Sequence, residues 1–348
     1  MNKNVKYRVL GIMSGTSLDG IDLAITTFFK KNKSWDFNIE KCKTIEYSKY
    51  WQSTLASLHN KEDKIIKKVD KEFGEYIAQI TNNFLGNEKI DFISCHGHTI
   101  FHEPKKKITL QIGDGKYIAK LCKITTINNF RTLDVSLNGQ GAPLVPIGDL
   151  YLFNQYKYCV NLGGFSNISI KKDNLITAFD ICPVNIVLNE VCKKLNIEYD
   201  SNGEIARKGM IIIPLLKKLN QLNYYNKKPP KSLSREWVEK NIYHLINNYK
   251  PKDVLCTFCE HIAIQIGKHL KCESALFTGG GVFNKYLIER INLYSSSKII
   301  VPDNKLINFK EALIFGFLGV LRFRNEINCL RSVTGAKKDN CGGIIHEF

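Results

Sequence analysis

Apolar positions recur along this chain with two different periods, and the two alternate from one end to the other. Period-two runs rich in β-branched and aromatic residues predict strands at Tyr7–Met13, Ile21–Phe29, Phe37–Ile45, Asp91–Cys95, Ile108–Ile112 and Ile124–Ile127. Between them, apolar residues every three or four positions predict helices at Tyr47–His59 and Asp63–Leu85. A second set opens with strands Tyr158–Leu162, Asn167–Ile170 and Leu175–Phe179. Helices follow at Val184–Leu195, Ile211–Leu222, Ser234–Asn247 and Asp253–Leu270, then strands Ala275–Thr278 and Lys298–Val301, and a last strong helix at Phe309–Arg322. The pattern is mixed α/β, with no low-complexity tract and no short-period repeat.

Glycine punctuates this pattern in three places. Strand, Gly-rich turn and strand succeed one another at Gly11–Asp22 (GIMSGTSLDGID) and again at Asn161–Ile168 (NLGGFSNI), so each half of the chain opens the same way. A third cluster, Gly279-Gly280-Gly281, stands between the strand ALFT and an amphipathic helix beginning near Phe283. Glycine lets backbone approach a phosphate and aim successive N–H groups at it, so two facing hairpins could clamp a polyphosphate and the third cluster could cradle the other end of a nucleotide. Two familiar phosphate motifs fail on these residues. No Lys follows Gly15 in the P-loop manner, and the G-x-G-x-x-G spacing is absent.

Composition narrows the class. The longest apolar stretch, Ala312–Leu321, is about half the length that crosses a bilayer, and Val9–Met13 is too short for a signal-peptide core, so neither insertion nor export is expected. Eleven cysteines, an odd and scattered set, read as reduced thiols in a cytoplasm. Fifty Lys+Arg against 33 Asp+Glu give a net charge of +17, which attracts phosphates, acidic sugars or nucleic acid alike. The excess lies in solvated lysine runs such as Lys30-Lys31 and Lys105-Lys106-Lys107, with no recognition module beside them, so no nucleic-acid partner is expected.

The segments GIMSGTSLDGID (11–22), SCHGHTIFHEP (94–104), TLQIGDG (109–115), NFRTLDVSLNGQGAPLVPIGD (129–149), NLGGFSNIS (161–169), PPKSLSREW (229–237), TGGGVFN (278–284), KEALIFGFLG (310–319) and SVTGA (332–336) carry a resemblance. Together they resemble the anhydro-N-acetylmuramic acid kinases of cell-wall recycling, a family of the actin, hexokinase and Hsp70 superfamily. The resemblance implies a two-domain actin-like (ribonuclease H-like) α/β fold closing on ATP in an interdomain cleft. Residues 1–155 would form the first domain and 156–308 the second, with 309–348 a helix and tail crossing back. It implies a cytoplasmic enzyme that consumes ATP and water to convert 1,6-anhydro-N-acetylmuramic acid into N-acetylmuramic acid 6-phosphate. Family members are dimeric, which makes a second copy of the chain a candidate partner. A sugar-sensing protein that kept the clamp and lost turnover is the alternative.

Site residues follow from the same resemblance. Gly15, Thr16, Ser17, Leu18, Asp19, Gly20, Ile21 and Asp22, with Asn161, Gly163, Gly164, Gly279, Gly280 and Gly281, would hold ATP. The family's catalytic carboxylate lies in a segment written F-D-T-G-P-G-N. Here it reads Phe179-Asp180-Ile181-Cys182-Pro183-Val184-Asn185, which keeps Asp180 as the base but loses a hydroxyl and two glycines, so a different loop path is expected. His96, His98, Arg131, Asp134, Gln140 and Glu311 would face the sugar, with Arg131 pairing the lactyl carboxylate and Asp134 accepting from ring hydroxyls. Many superfamily members place an Asp at the head of each hairpin, where this chain has Gly11 and Asn161. Mg²⁺ would therefore rest on ATP oxygens and waters, with Asp19 or Asp180 in its outer shell.

Two metal-like patterns compete with these roles. H-x-H at His96 and His98 would place two imidazoles on one strand face, near His102, but neutral donors and acceptors for a sugar suit the resemblance better. Cys256-x-x-Cys259 lies inside a helical pattern without a second pair, and reads as a buried helix face.

Overall fold

A computed structural model describes residues 5–348 except 16, 33, 173 and 174. It divides into two compact units, Met1–Leu152 with Phe309–Phe348, and Phe153–Asn308.

The first unit contains β1 (Val5–Ser14), β2 (Gly20–Lys31), β3 (Ser34–Glu46), α1 (Lys49–Ser57), α2 (Asp63–Leu85), β4 (Phe92–Cys95), β5 (His98–Glu103), β6 (Ile108–Ile112), α3 (Gly115–Cys122), β7 (Thr126–Asn128), α4 (Thr132–Ser136) and α5 (Pro146–Leu152). The second contains β8 (Tyr158–Leu162), β9 (Phe165–Lys172), β10 (Leu175–Pro183), α6 (Asn185–Lys193), α7 (Glu204–Arg207), α8 (Ile213–Asn220), α9 (Arg235–Val238), α10 (His244–Ile246), α11 (Pro251–Gly267), β11 (Ser274–Thr278), α12 (Lys285–Tyr294) and β12 (Lys298–Ile300). Helix α13 (Asn304–Phe323), α14 (Arg331–Thr334) and β13 (Ile344–His346) complete the chain.

Both units carry the same sheet. The order is β3-β2-β1-β4-β7 in the first, extended by β13, and β10-β9-β8-β11-β12 in the second. In each, the first three strands form an antiparallel meander and the next two join in parallel through helical crossovers. This duplicated order is the ribonuclease H-like plan of actin-type ATPases, and it places a strand-to-strand hairpin at the start of each unit.

The period-two pattern of β1 explains how its sheet is covered. Leu10 and Ile12 point into a core shared with Phe73 and Ile77 of α2 and with Trp51 and Leu55 of α1. The residue between them, Gly11, faces α13, where a Cβ would stand 2.0 Å from the Ala312 carbonyl oxygen. Gly319 of the same helix abuts Ser94, whose hydroxyl donates to the Phe315 carbonyl. The run Ala312–Leu321 is apolar all round because that stretch of α13 is buried on every side. Among the described residues no helix is long and apolar enough to cross a membrane.

Helix α11 is enclosed in the core of the second unit, and Cys256 and Cys259 are among its buried residues. The polar Glu260 and His261 on that helix are satisfied by Arg290 with Tyr294 and by Asn220 with Tyr225. All eleven cysteines are free thiols. The pattern read as one helix at Ser234–Asn247 is two short helices joined by a π-type turn at Glu239–Tyr243.

Candidate active site

The glycines of the two hairpins and the third cluster sort by what a side chain would meet. Gly20 and Gly281 are closed by protein, a Cβ standing 2.3 Å from the Ile45 oxygen and 2.7 Å from Leu162 Cβ. Gly279 adopts φ +84 and would collide with the Asn161 carboxamide at 2.6 Å. By contrast, Gly15 and Gly164 have no neighbour nearer than 3.5 Å, Gly163 meets Asn161 at 3.2 Å, and Gly280 meets nothing within 4 Å. Protein packing explains the first set and leaves the second unexplained. The fold thus keeps open backbone at the two hairpins and the third cluster.

In the second unit these pieces converge. The Gly163 and Gly164 carbonyls accept from the N–H groups of Val184, Asn185 and Ile186 at the start of α6, and Asn161 lies against Gly279. A groove of about 680 Å³ is lined by Gly164, by Asn185, Ile186, Asn189 and Lys193 of α6, and by Arg235. In the first unit Ser17 and Asp19 are exposed, Leu18 turns the hairpin with φ +62, and Gly20, Ile21 and Asp22 already belong to β2. Thr16 lies outside the described residues.

Asp180 sits on β10 at a bulge opposite Asn167 and Ser166. One carboxylate oxygen accepts from the Leu233 N–H at 2.9 Å, and the Tyr224 hydroxyl holds the Asp180 carbonyl at 2.6 Å. The other oxygen takes no hydrogen bond among the described residues. Burial raises the carboxyl's pKa above its ordinary value, against the pull of the Leu233 N–H. The departures at Ile181, Cys182 and Val184 have a plain physical reason, since all three side chains are buried in the unit's apolar core. The strand runs on to Pro183 there.

The first unit treats the residues expected at the sugar unequally. His96 is buried beside Phe315, and its Nε2 accepts from Arg131 Nε at 3.0 Å and Nη2 at 2.8 Å. Burial and the guanidinium hold its pKa well below the usual histidine range. Arg131 also donates through Nη1 to the Gly141 carbonyl at 2.6 Å, and burial lowers its pKa to about 10. The edge of the guanidinium expected to fork a carboxylate is therefore occupied by histidine. Asp134, expected to accept from ring hydroxyls, is instead fully buried. Its Oδ2 accepts from Gly141 N–H, and its Oδ1 from Cys329, Thr334 and Asn340, so it fastens the GQGAPLVP loop to the C-terminal segment. The Gln140 side chain is exposed while its N–H donates to the Thr334 carbonyl.

His96 and His98 do not share a strand face. Gly97 between them has φ +75, and a Cβ there would strike the Ile112 carbonyl at 2.3 Å, so the chain turns before β5 begins at His98. His98 bonds Ser14, and His102 bonds Thr109. No three His, Cys, Asp or Glu side chains among the described residues are grouped to hold a metal ion.

Glu311 opens to solvent yet is ringed by protein, and that crowding together with Asp22 raises its pKa, opposed by Arg131 and Lys310. Asp22 is raised by burial, with the Thr44 hydroxyl opposing. The structure thus gathers Asp22, Glu311, Arg131 and His96 into one neighbourhood of the first unit and sets Asp134 behind it. Sequence reading missed Ser14, Tyr47, Leu233 and Tyr224, and the buried Asp149–Lys310 pair at 2.8 Å. Ser14, Asp149, Leu233 and Lys310 lie within the quoted segments, which was the available signal; nothing in the sequence pattern marked Tyr47 or Tyr224.

The model of the anhydro-N-acetylmuramic acid kinase family matches residues 7–347. A protein named anhydro-N-acetylmuramic acid kinase from Francisella tularensis subsp. novicida (strain U112) is 32% identical over 379 aligned positions, covering 99% of both chains. One of the same name from Sulfurovum sp. (strain NBC37-1) is 32% identical, covering 98% of this chain and 99% of its own. Among solved structures, the activator of 2-hydroxyisocaproyl-CoA dehydratase from Clostridium difficile with bound ADPNP overlaps 92% of this chain and 97% of its own at 13% identity, with a TM-score of 0.42, too loose to carry an argument. The sequence matches run the full length of the fold described above, and the chain belongs to the anhydro-N-acetylmuramic acid kinase family.

Proposed function

We propose that the chain carries out ATP-dependent phosphorylation of 1,6-anhydro-N-acetylmuramic acid with hydrolytic opening of the anhydro bridge, serving reuse of cell-wall amino sugar in the cytoplasm. The observation that carries the chemical assignment is the Asp180 carboxylate, fixed through one oxygen by the Leu233 N–H with the other oxygen open. A carboxylate so held can take a proton from water as that water attacks the anomeric carbon. The C1–O6 bond breaks, O6 attacks the γ-phosphorus, and ADP leaves. Burial strengthens Asp180 as a base by favouring its protonated form.

Gly15, Gly163, Gly164 and Gly280, where the protein leaves room, are assigned to the phosphates and the nucleotide's far end, with backbone donors stabilising charge as it builds. Asp22, His98, Arg131 and Glu311 are assigned to the sugar, and His96, with Nδ1 on the Gly97 carbonyl and Nε2 on Arg131, to orienting that guanidinium. Arg131 would reach the lactyl carboxylate with the Nη1 and Nη2 protons not given to Gly141 and His96. Mg²⁺ would be held by phosphate oxygens and waters, with Asp19 or Asp180 reaching it through water. When bound, that ion neutralises charge on the phosphates. No observation favours the silent sensor.

The test is ³¹P-NMR of the purified protein with ATP, Mg²⁺ and the anhydro sugar, run in ¹⁸O-labelled water. A sugar phosphomonoester labelled at the anomeric oxygen is expected. An unlabelled product, under conditions that exclude later exchange, would remove water attack at that carbon and Asp180's role with it.

A further inference from the structure

A buried chain of polar groups stands at the exit of β1, immediately before the first hairpin. The Tyr47 hydroxyl lies 2.6 Å from Ser14 Oγ, and Ser14 Oγ lies 2.7 Å from His98 Nδ1. Tyr47, Ser14 and His98 are 5%, 2% and 3% exposed, so their hydrogens must be accounted for within the protein. Among the described residues the Tyr47 hydroxyl has no other hydrogen-bond partner, so its O–H donates to Ser14. Ser14 has one hydrogen, and its remaining neighbour is His98 Nδ1. That nitrogen must therefore be the acceptor, which leaves the imidazole's proton on Nε2. Nε2 takes no partner among the described residues and is not one of the buried polar atoms left without one, so it stays open to solvent.

We propose that Tyr47 and Ser14 are positioning residues that lock His98 in its Nε2–H tautomer and so present a fixed, uncharged donor to an oxygen of the sugar. The lock follows from the hydrogen count alone. Its use on substrate rests on the assignment of His98 to the sugar above. Because the donor carries no charge, it suits a hydroxyl or acetamido oxygen, and it is held by groups outside the reacting atoms. Burial agrees, lowering the pKa of His98 to about 4, so the ring stays neutral across the working range.

Long-range ¹H–¹⁵N NMR of histidine-labelled full-length protein without ligand tests the lock, with the His98 signal identified by its loss in His98→Gln. The Nε2–H pattern is expected in the parent, and a mixture of tautomers in Ser14→Ala and Tyr47→Phe. An Nδ1–H pattern in the parent, or an unchanged pattern in folded Ser14→Ala, overturns the lock. Kinetics test its use. Ser14→Ala should raise KM for the sugar about 3- to 10-fold with KM for ATP unmoved. His98→Gln, whose amide nitrogen falls near Nε2, should retain at least tenfold more kcat/KM than His98→Asn, whose amide falls near Nδ1. A correct tautomer with sugar kinetics unaltered in all three variants overturns the assignment of His98 to the sugar and leaves the lock standing.

Discussion

Asp134 offers the sharpest separation between a residue that binds substrate and one that builds the site. Its Oδ1 accepts from Cys329 Sγ at 3.1 Å, Thr334 Oγ1 at 2.9 Å and Asn340 Nδ2 at 2.8 Å, and its Oδ2 from Gly141 N–H at 2.8 Å. Asp134→Asn keeps the shape but supplies one acceptor where two are needed. Turned to do least harm, its oxygen faces the three donors and its amide faces the Gly141 N–H. The variant then loses one charge-assisted bond, sets two donors against each other and removes the charge from the other three bonds. With about 1.5–3 kcal/mol for a hydrogen bond to a charged group and about 1–3 kcal/mol for a buried donor left unpaired, a loss of about 3 kcal/mol is expected. At about 2–4 °C per kcal/mol for a unit of this size, the midpoint of the first unit falls by about 6–12 °C. Tryptophan fluorescence in a Trp237→Phe background reads this transition, because the remaining Trp35 and Trp51 are both in that unit and buried. Below the new midpoint, sugar KM should stay within about twofold of the parent. An unmoved midpoint with a sugar KM raised tenfold would refute the reasoning and return Asp134 to the substrate.

Asp180→Asn should lower kcat by on the order of 10² to 10⁴ with calorimetric ATP affinity kept, and turnover within a few-fold of the parent would exclude it as the base. Since the base must be ionised and burial raises its pKa, the acid limb of the parent's kcat/KM rises with pH around a value above the ordinary carboxylate's. Gly15→Val and Gly163→Val should fold with midpoints near the parent's while calorimetry reads weakened ATP binding. Intact affinity in both would remove the hairpins from the nucleotide site.

The fold was legible wherever a segment buries one face against one neighbour. Helix α2 was marked by its apolar spacing, and β8 by its short apolar run between turn residues. What escaped was chain whose form depends on distant partners. Strand β13 exists because Ile344–His346 pairs with Thr126–Asn128, and β5 was hidden behind the turn at Gly97. Site residues divide in the same way. The sequence marks Asp134 and Arg131 as important, but their partners, Thr334, Asn340, His96 and Gly141, depend on tertiary register. A carboxylate that reads as a sugar ligand in one dimension is a fastening in three.

That fastening has a consequence for synthesis. Asp134 and Asn340 are 206 residues apart, and the whole second unit is made between them. At about 5–20 residues per second, the loop that carries Arg131 waits roughly 10 to 40 seconds on the ribosome for the partners that fix it. The second unit, continuous in sequence, can fold in that interval. The first has its sheet's opening strands early but must hold them until α13 arrives to cover Gly11. A nascent chain stopped between residues 309 and 328 would thus have both hairpins and Asp180 but none of the C-terminal donors to Asp134 Oδ1. Synthesis of the segment from Cys329 to Asn340 becomes the step that fastens the loop.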